Sequence, residues 1–214
     1  MSTVNGLATR PKGSPNPVNG KVRTTPPLRG KDTRPRKHLT PAEVAALLRV
    51  ARKSGRYRLR DETLVLLAYR HGLRAVELVS LRWSAIDLKG ATITVQRAKN
   101  GLTTEHPLRA VELRLLGRLR REQPESEYVF MTERGTPMTT GNFRMILQRL
   151  AKSAGKAVAI TVNPHALRHA CGFYLAARGV DTRALSHYLG HRSLQSTERY
   201  TAQSAARFRD FFRD

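Results

Sequence analysis

Residues 165–201 read HALRHACGFYLAARGVDTRALSHYLGHRSLQSTERYT. Apolar residues recur there at helical spacing, and the breaks divide the stretch into helices over about 164–178, 182–189 and 193–199, with Gly179 where the first would stop. The same stretch gathers His165, Arg168, His191 and Tyr200, while Arg74 and Lys99 stand upstream. A phenol, several fixed cations and two imidazoles are the groups needed to attack a phosphodiester without a metal. Tyr200 is the nucleophile in that reading.

Working outward, Thr40-Pro41-Ala42-Glu43 combines an N-cap threonine, a proline at the first helical position and a capping-box glutamate. Val44, Leu47, Leu48 and Val50 follow at roughly helical spacing. A second helix is predicted over about 61–70 with Gly72 as its C-cap, and a third over about 75–82. ATITV (91–95) alternates as a strand, and Asn100-Gly101 reads as a hairpin turn into a second strand near 103–108. VELRLLGRLRRE (111–122) is a basic amphipathic helix, EYVFM (127–131) reads as a short strand, and 140–153 as a helix stopped by Gly155. The fold class that results is mainly α with a small antiparallel β-sheet.

The chain has 214 residues, with 39 Lys and Arg against 16 Asp and Glu, a formal charge of +23. Such a surface seeks polyanions, nucleic acid before an anionic membrane. No apolar run of membrane-spanning length occurs, and MSTVNGLATRPKG at the start has no apolar signal core. A single cysteine, Cys171, excludes an internal disulfide and fits a reducing cytoplasm. Cys171 and Trp83 read as core side chains. Residues 1–37 hold six of the eleven prolines and nine Lys or Arg against one acid, Asp32. This stretch is predicted to be disordered in isolation, either a solvated leader or a basic arm along DNA phosphates.

Cleavage of DNA by phosphoryl transfer loads charge onto the non-bridging phosphate oxygens, and guanidinium groups meet those oxygens in pairs. Arg74 lies on the connection into the third helix. Arg168 lies three residues after His165, so both project from nearly one helix face. In an arginine-rich chain either also reads as a surface charge. His165/His169 and His187/His191 have the i,i+4 spacing of a shared metal ion, but HALRH lacks the glutamate of H-E-x-x-H and no acid or cysteine cluster completes a shell. His169 and His187 therefore read as structural. His165 and His191 are open to acid-base or phosphate-binding roles. Lys99, before the predicted turn, is either an idle tip lysine or the donor of a proton to a leaving alkoxide.

Taken together these residues resemble the tyrosine recombinase (phage integrase-type) family over about residues 38–205. HGLRAVELVSLRWSAIDL (71–88) is similar to its first box, with Arg74, Glu77, Leu81, Trp83 and Asp87 at the expected offsets. Lys99 falls at the β-hairpin lysine, HALRH at the H-x-x-R box, His191 at the second histidine, and Tyr200 nine residues beyond it. GLTTEHPL and YTAQSAARF are similar to the short Fim-type phase-variation recombinases, which also lack a separate core-binding domain.

The resemblance implies the tyrosine recombinase catalytic-domain fold over 38–205, flanked by the 1–37 arm and a 206–214 tail. It implies DNA breaking and rejoining through a 3′-phosphotyrosyl link to Tyr200. Arg74, Arg168 and His191 would hold the phosphate, His165 assist proton transfer at the tyrosine, and Lys99 protonate the leaving oxygen. It implies no cofactor and no metal. The partners implied are double-stranded DNA at paired sites, a homo-tetramer assembled on them, and accessory DNA-bending proteins, in a cytoplasmic, DNA-associated protein. The outcome would be inversion, integration or excision. The tail RFRDFFRD, with Phe208, Phe211 and Phe212, would either dock on a neighbouring protomer or pack on its own domain. Two other classes share some features: a type IB topoisomerase, and a DNA-binding regulatory module without strand exchange.

Overall fold

The computed structural model describes residues 36–97, 103–191 and 193–201. Nearly all of the 1–37 arm, the Lys99 to Gly101 turn and the tail with Phe208, Phe211 and Phe212 lie outside them.

Helix α1 (Pro41–Lys53) starts at the predicted capping box. The Thr40 hydroxyl accepts from the Glu43 N–H at 3.2 Å, and the Glu43 carboxylate accepts from the Thr40 N–H at 2.7 Å. Glu43 also accepts from Arg36 and from the Ala159 N–H at 2.9 Å, which ties the cap to the segment ahead of Pro164. Helix α2 (Arg58–Arg70) begins earlier than predicted and is buried without a break from Arg60 to Ala68. A helix with no solvent face belongs at the centre of a domain, and α1, α4 (Ala110–Glu122) and α6 (Pro164–Ala177) pack around it. Its buried charges are paired: Arg60 and Arg149 with Asp61, and Arg52 with Glu62.

Helix α3 (Ala75–Val79) stops short of the predicted end. Beyond it the chain turns extended, so that the Val129 N–H reaches the Leu81 carbonyl at 2.9 Å and the Trp83 N–H the Glu127 carbonyl at 3.0 Å. The strand predicted at 127–131 does not form; isolated bridges, Arg82 to Tyr128 and Met131 to Pro137, take its place. Val129 and Phe130 are consecutive and both fully buried, so this segment has neither the half-exposed face of an edge strand nor a ladder on each side. Their partner segment also turns at once into a 3-10 turn at Trp83–Ala85, so no ladder can extend.

Strands β1 (Ile86–Asp87), β2 (Thr92–Gln96) and β3 (Thr103–Pro107) form an antiparallel sheet in the order β1-β2-β3. The β2–β3 register runs from Thr92 opposite Pro107 to Gln96 opposite Thr103. Ile93 and Val95 face inward. Helices α4 (Ala110–Glu122), α5 (Thr140–Ala154), α6 (Pro164–Ala177), α7 (Thr182–Leu189) and α8 (Gln195–Thr201) follow. The main core surrounds α2 and takes in Ala166, Leu167 and Ala170 of α6. A second cluster gathers Cys171, Ala176, Leu185, Leu189 and Tyr200. Helix α6 thus joins the core to the helices that carry the predicted chemistry. Cys171 is buried, as expected. Trp83 is only half-buried, with the Arg120 guanidinium 5.2 Å from its ring. Among the described residues no helix is long and apolar enough to cross a membrane.

Candidate active site

The site begins where α2 ends. Gly72 adopts φ +56, and a Cβ there would lie 2.5 Å from Leu189, so this turn needs glycine for both conformation and space. The turn delivers Arg74 to the N-cap of α3. The Glu77 carboxylate accepts from the Arg74 backbone N–H at 2.9 Å and from its guanidinium at 2.6 Å. The other Arg74 Nη donates to the Gly190 carbonyl at 3.2 Å.

Arg168, on α6, donates to the carbonyls of Gly72 and Leu189. The carbonyls of two neighbouring residues, Leu189 and Gly190, therefore hold the two arginines side by side. Gly190 caps α7 in the left-handed conformation, φ +63, and His191 follows directly. Arg168 is buried, not a surface charge. Burial first, then Arg74 and Arg97, bring its pKa down to about 10, which leaves it charged at neutral pH.

A third guanidinium stands behind the pair. Arg97 is completely buried, bonds Glu77 at 2.9 Å and donates to the Tyr188 carbonyl. Its side chain lies under Gly190, where a Cβ would come within 2.5 Å of it. Burial opposes ionisation of Glu77, but the Arg74 N–H and both guanidiniums hold its carboxyl below the usual range. Burial likewise pulls Arg97 down, with Glu77 opposing. Arg97 immediately follows β2, at the base of the connection that carries Lys99; Lys99 itself lies outside the described residues.

His191 Nδ1 is 2.8 Å from the Thr197 hydroxyl, which fixes the ring. Burial, then Arg168 and Arg199, push its pKa down to about 4. The Tyr200 ring stacks with His191 at a centroid distance of 6.1 Å and meets Phe173 edge-on at 5.1 Å. Tyr200 is 1 % exposed. Helix α6 makes room for it at Gly172, where a Cβ would sit 2.8 Å from the ring. The cations expected to activate the phenol are present, but burial outweighs Arg199 and Arg168, and its pKa is raised.

Of the predicted set, Arg74, Arg168, His191 and Tyr200 come together. His165 is exposed on the first turn of α6, and the imidazole that meets the phenol is instead that of His169, with Nδ1 2.8 Å from Oη. His169, read from the sequence as structural, thus stands against the Tyr200 hydroxyl. His187 is exposed on α7 and no part of the core. Arg97 also went unread, although the sequence carries its signal: it continues the inward positions of Ile93 and Val95, where an arginine must find a buried partner.

Comparison with known proteins gives four concordant results. The model of the phage integrase family matches residues 37–207. Type 1 fimbriae regulatory protein FimB of Escherichia coli (strain K12) is 41% identical over 182 residues, which cover 83% of this chain and 90% of that protein. Tyrosine recombinase XerA of Pyrococcus furiosus is 32% identical over 175 residues, covering 81% of this chain and 60% of the relative. A crystal structure of XerA recombinase superimposes with a TM-score of 0.70 at 25% identity, over 81% of this chain and 63% of that one.

Proposed function

Because this chain belongs to the phage integrase family, we propose that it is a site-specific DNA recombinase that breaks and rejoins DNA through Tyr200. The observation that carries this reading is the pair of guanidiniums hung from the Leu189 and Gly190 carbonyls, next to His191 and the Tyr200 ring. Arg74, Arg168 and His191 bind the scissile phosphate and stabilise the charge that grows on its oxygens. Loss of one such fixed donor costs about 10²–10³ in rate. Tyr200 displaces the 5′ oxygen and forms a 3′-phosphotyrosyl link. Lys99, from the β2–β3 connection, protonates the leaving oxygen, and His165 completes the catalytic set from the rim of α6. The covalent link conserves the energy of the broken bond, so rejoining needs no nucleotide.

The substrate is double-stranded DNA. The recombinase acts as a homo-tetramer on paired sites, with inversion or integration as the outcome. The catalytic domain spans 38–205, and the basic 1–37 arm adds phosphate contacts along the duplex. A nicked suicide substrate tests the chemistry. Wild-type protein is expected to trap a covalent protein–DNA adduct and Tyr200→Phe none. A wild-type chain without an adduct, or an adduct that survives in Tyr200→Phe, overturns the reading.

A further inference from the structure

The family pattern leaves proton transfer at the tyrosine to His165. The geometry points elsewhere: we propose that His169 is a catalytic residue that takes the proton of Tyr200 as the tyrosine attacks. This rests on the recombinase reading above. Tyr200 Oη lies 2.8 Å from His169 Nδ1, and the two rings meet at a centroid distance of 5.9 Å. His165 is exposed, with its ring centroid 6.4 Å from that of His169. A neutral phenol that donates this bond requires the Nδ1 lone pair as acceptor, with the ring proton on Nε2.

The surroundings keep that lone pair available. Burial, then Arg199, His165 and Arg168, lower the pKa of His169 to about 4, so its imidazole is neutral throughout the physiological range. An imidazolium formed beside those cations is costly in the free protein. A phosphodiester held between Arg74 and Arg168 brings in the negative charge that offsets it, so the base gains strength only when substrate is bound.

The step balances. The Oη–H bond breaks and its proton passes to His169 Nδ1 while the Oη–P bond forms. The P–O5′ bond breaks, and the leaving oxygen takes a proton from the Lys99 ammonium. On rejoining, the 5′ hydroxyl attacks, its proton returns to Lys99, and the departing tyrosine recovers its proton from His169.

His169→Asn separates this role from simple positioning, because an asparagine oxygen takes the place of Nδ1 and accepts the hydrogen bond without accepting a proton. Single-turnover cleavage of the nicked substrate is the readout. The expected result for His169→Asn is cleavage about 10²–10⁴-fold slower at neutral pH, the usual worth of a general base, with DNA affinity retained. Its rate should rise roughly tenfold per pH unit, as attack comes to depend on prior loss of the phenol proton, while wild type stays flat. Fluorotyrosine at position 200, a more acidic phenol, should restore much of the loss, which no folding defect predicts.

Wild-type rates in His169→Asn, or faster ones, overturn the proposal, as does failure of the fluorotyrosine rescue. So does a hydroxide-dependent profile that appears in His165→Asn in place of His169→Asn. A wild-type chain that forms no adduct removes the recombinase reading itself, a separate outcome.

Discussion

Gly172 decides how close Tyr200 approaches α6. A Cβ there would meet three ring atoms at 2.8–2.9 Å. The ring is also held by Phe173, His191 and the hydroxyl bond to His169, so it has no free direction in which to yield. Gly172→Ala should therefore push the phenol out of register. The expected outcome is loss of most adduct formation, with a stability change of about 1–3 kcal/mol from overpacking, partly offset by about 1 kcal/mol of helix propensity. Thermal melting and the adduct assay check both halves, and unchanged adduct yield would show that the ring relocates freely. Tyr200 was readable as the proposed nucleophile from its spacing to His191, because that spacing is local. Its histidine partner was not, because His165 and His169 differ by one helical turn and only the placement of α8 against α6 selects between them.

Strand β2 does more than build a sheet. Its inward positions continue past Val95 to Arg97, whose guanidinium joins α3 through Glu77 and α7 through the Tyr188 carbonyl. One side chain thus braces the elements that carry Arg74, His191 and the connection to Lys99. Arg97→Met leaves Glu77 buried with Arg74 as its remaining guanidinium partner among those described. Breaking such a buried pair costs about 3–5 kcal/mol. Urea unfolding should show a loss of this order, and adding Glu77→Gln should recover part of it. A single variant as stable as wild type would remove the bracing role. Elements whose ends are set by their own residues were predicted well: Thr40 and Glu43 start α1, and Asn163 and Pro164 start α6. The segment 127–131 was misread because a strand needs a partner, and its partner turns away at Trp83.

Across the molecule, several acids serve the interior. Glu43, Asp61, Glu62, Glu77 and Glu112 are all buried, each against an arginine. Burial also sets a response to acid. His106, stacked on Tyr188, is lowered to about 3, and His169 and His191 to about 4, all with burial as the largest cause. Their folded pKa values lie below the unfolded value of about 6.5. The stability linked to their neutral forms is thus complete above that pH and is lost as pH falls toward 4. Each contributes a slope of up to about 1.4 kcal/mol per pH unit over that range. Thermal melts from pH 7.5 to 4 should show a steady fall in Tm that begins near 6.5, and a flat profile would contradict the burial of these rings.

The amino-acid order alone specified the helical class, the caps, the basic surface and four of the residues that meet at the site. Those features rest on neighbours within a turn or two, or on spacing along one helix. Packing selected the rest: His169 against the phenol, Arg97 beneath Gly190, and the carbonyls that hold Arg74 and Arg168. Each depends on how closely α6, α7, α8 and the α2–α3 turn approach one another. Glycines at 72, 172 and 190 set that distance, through contacts between residues far apart in the chain.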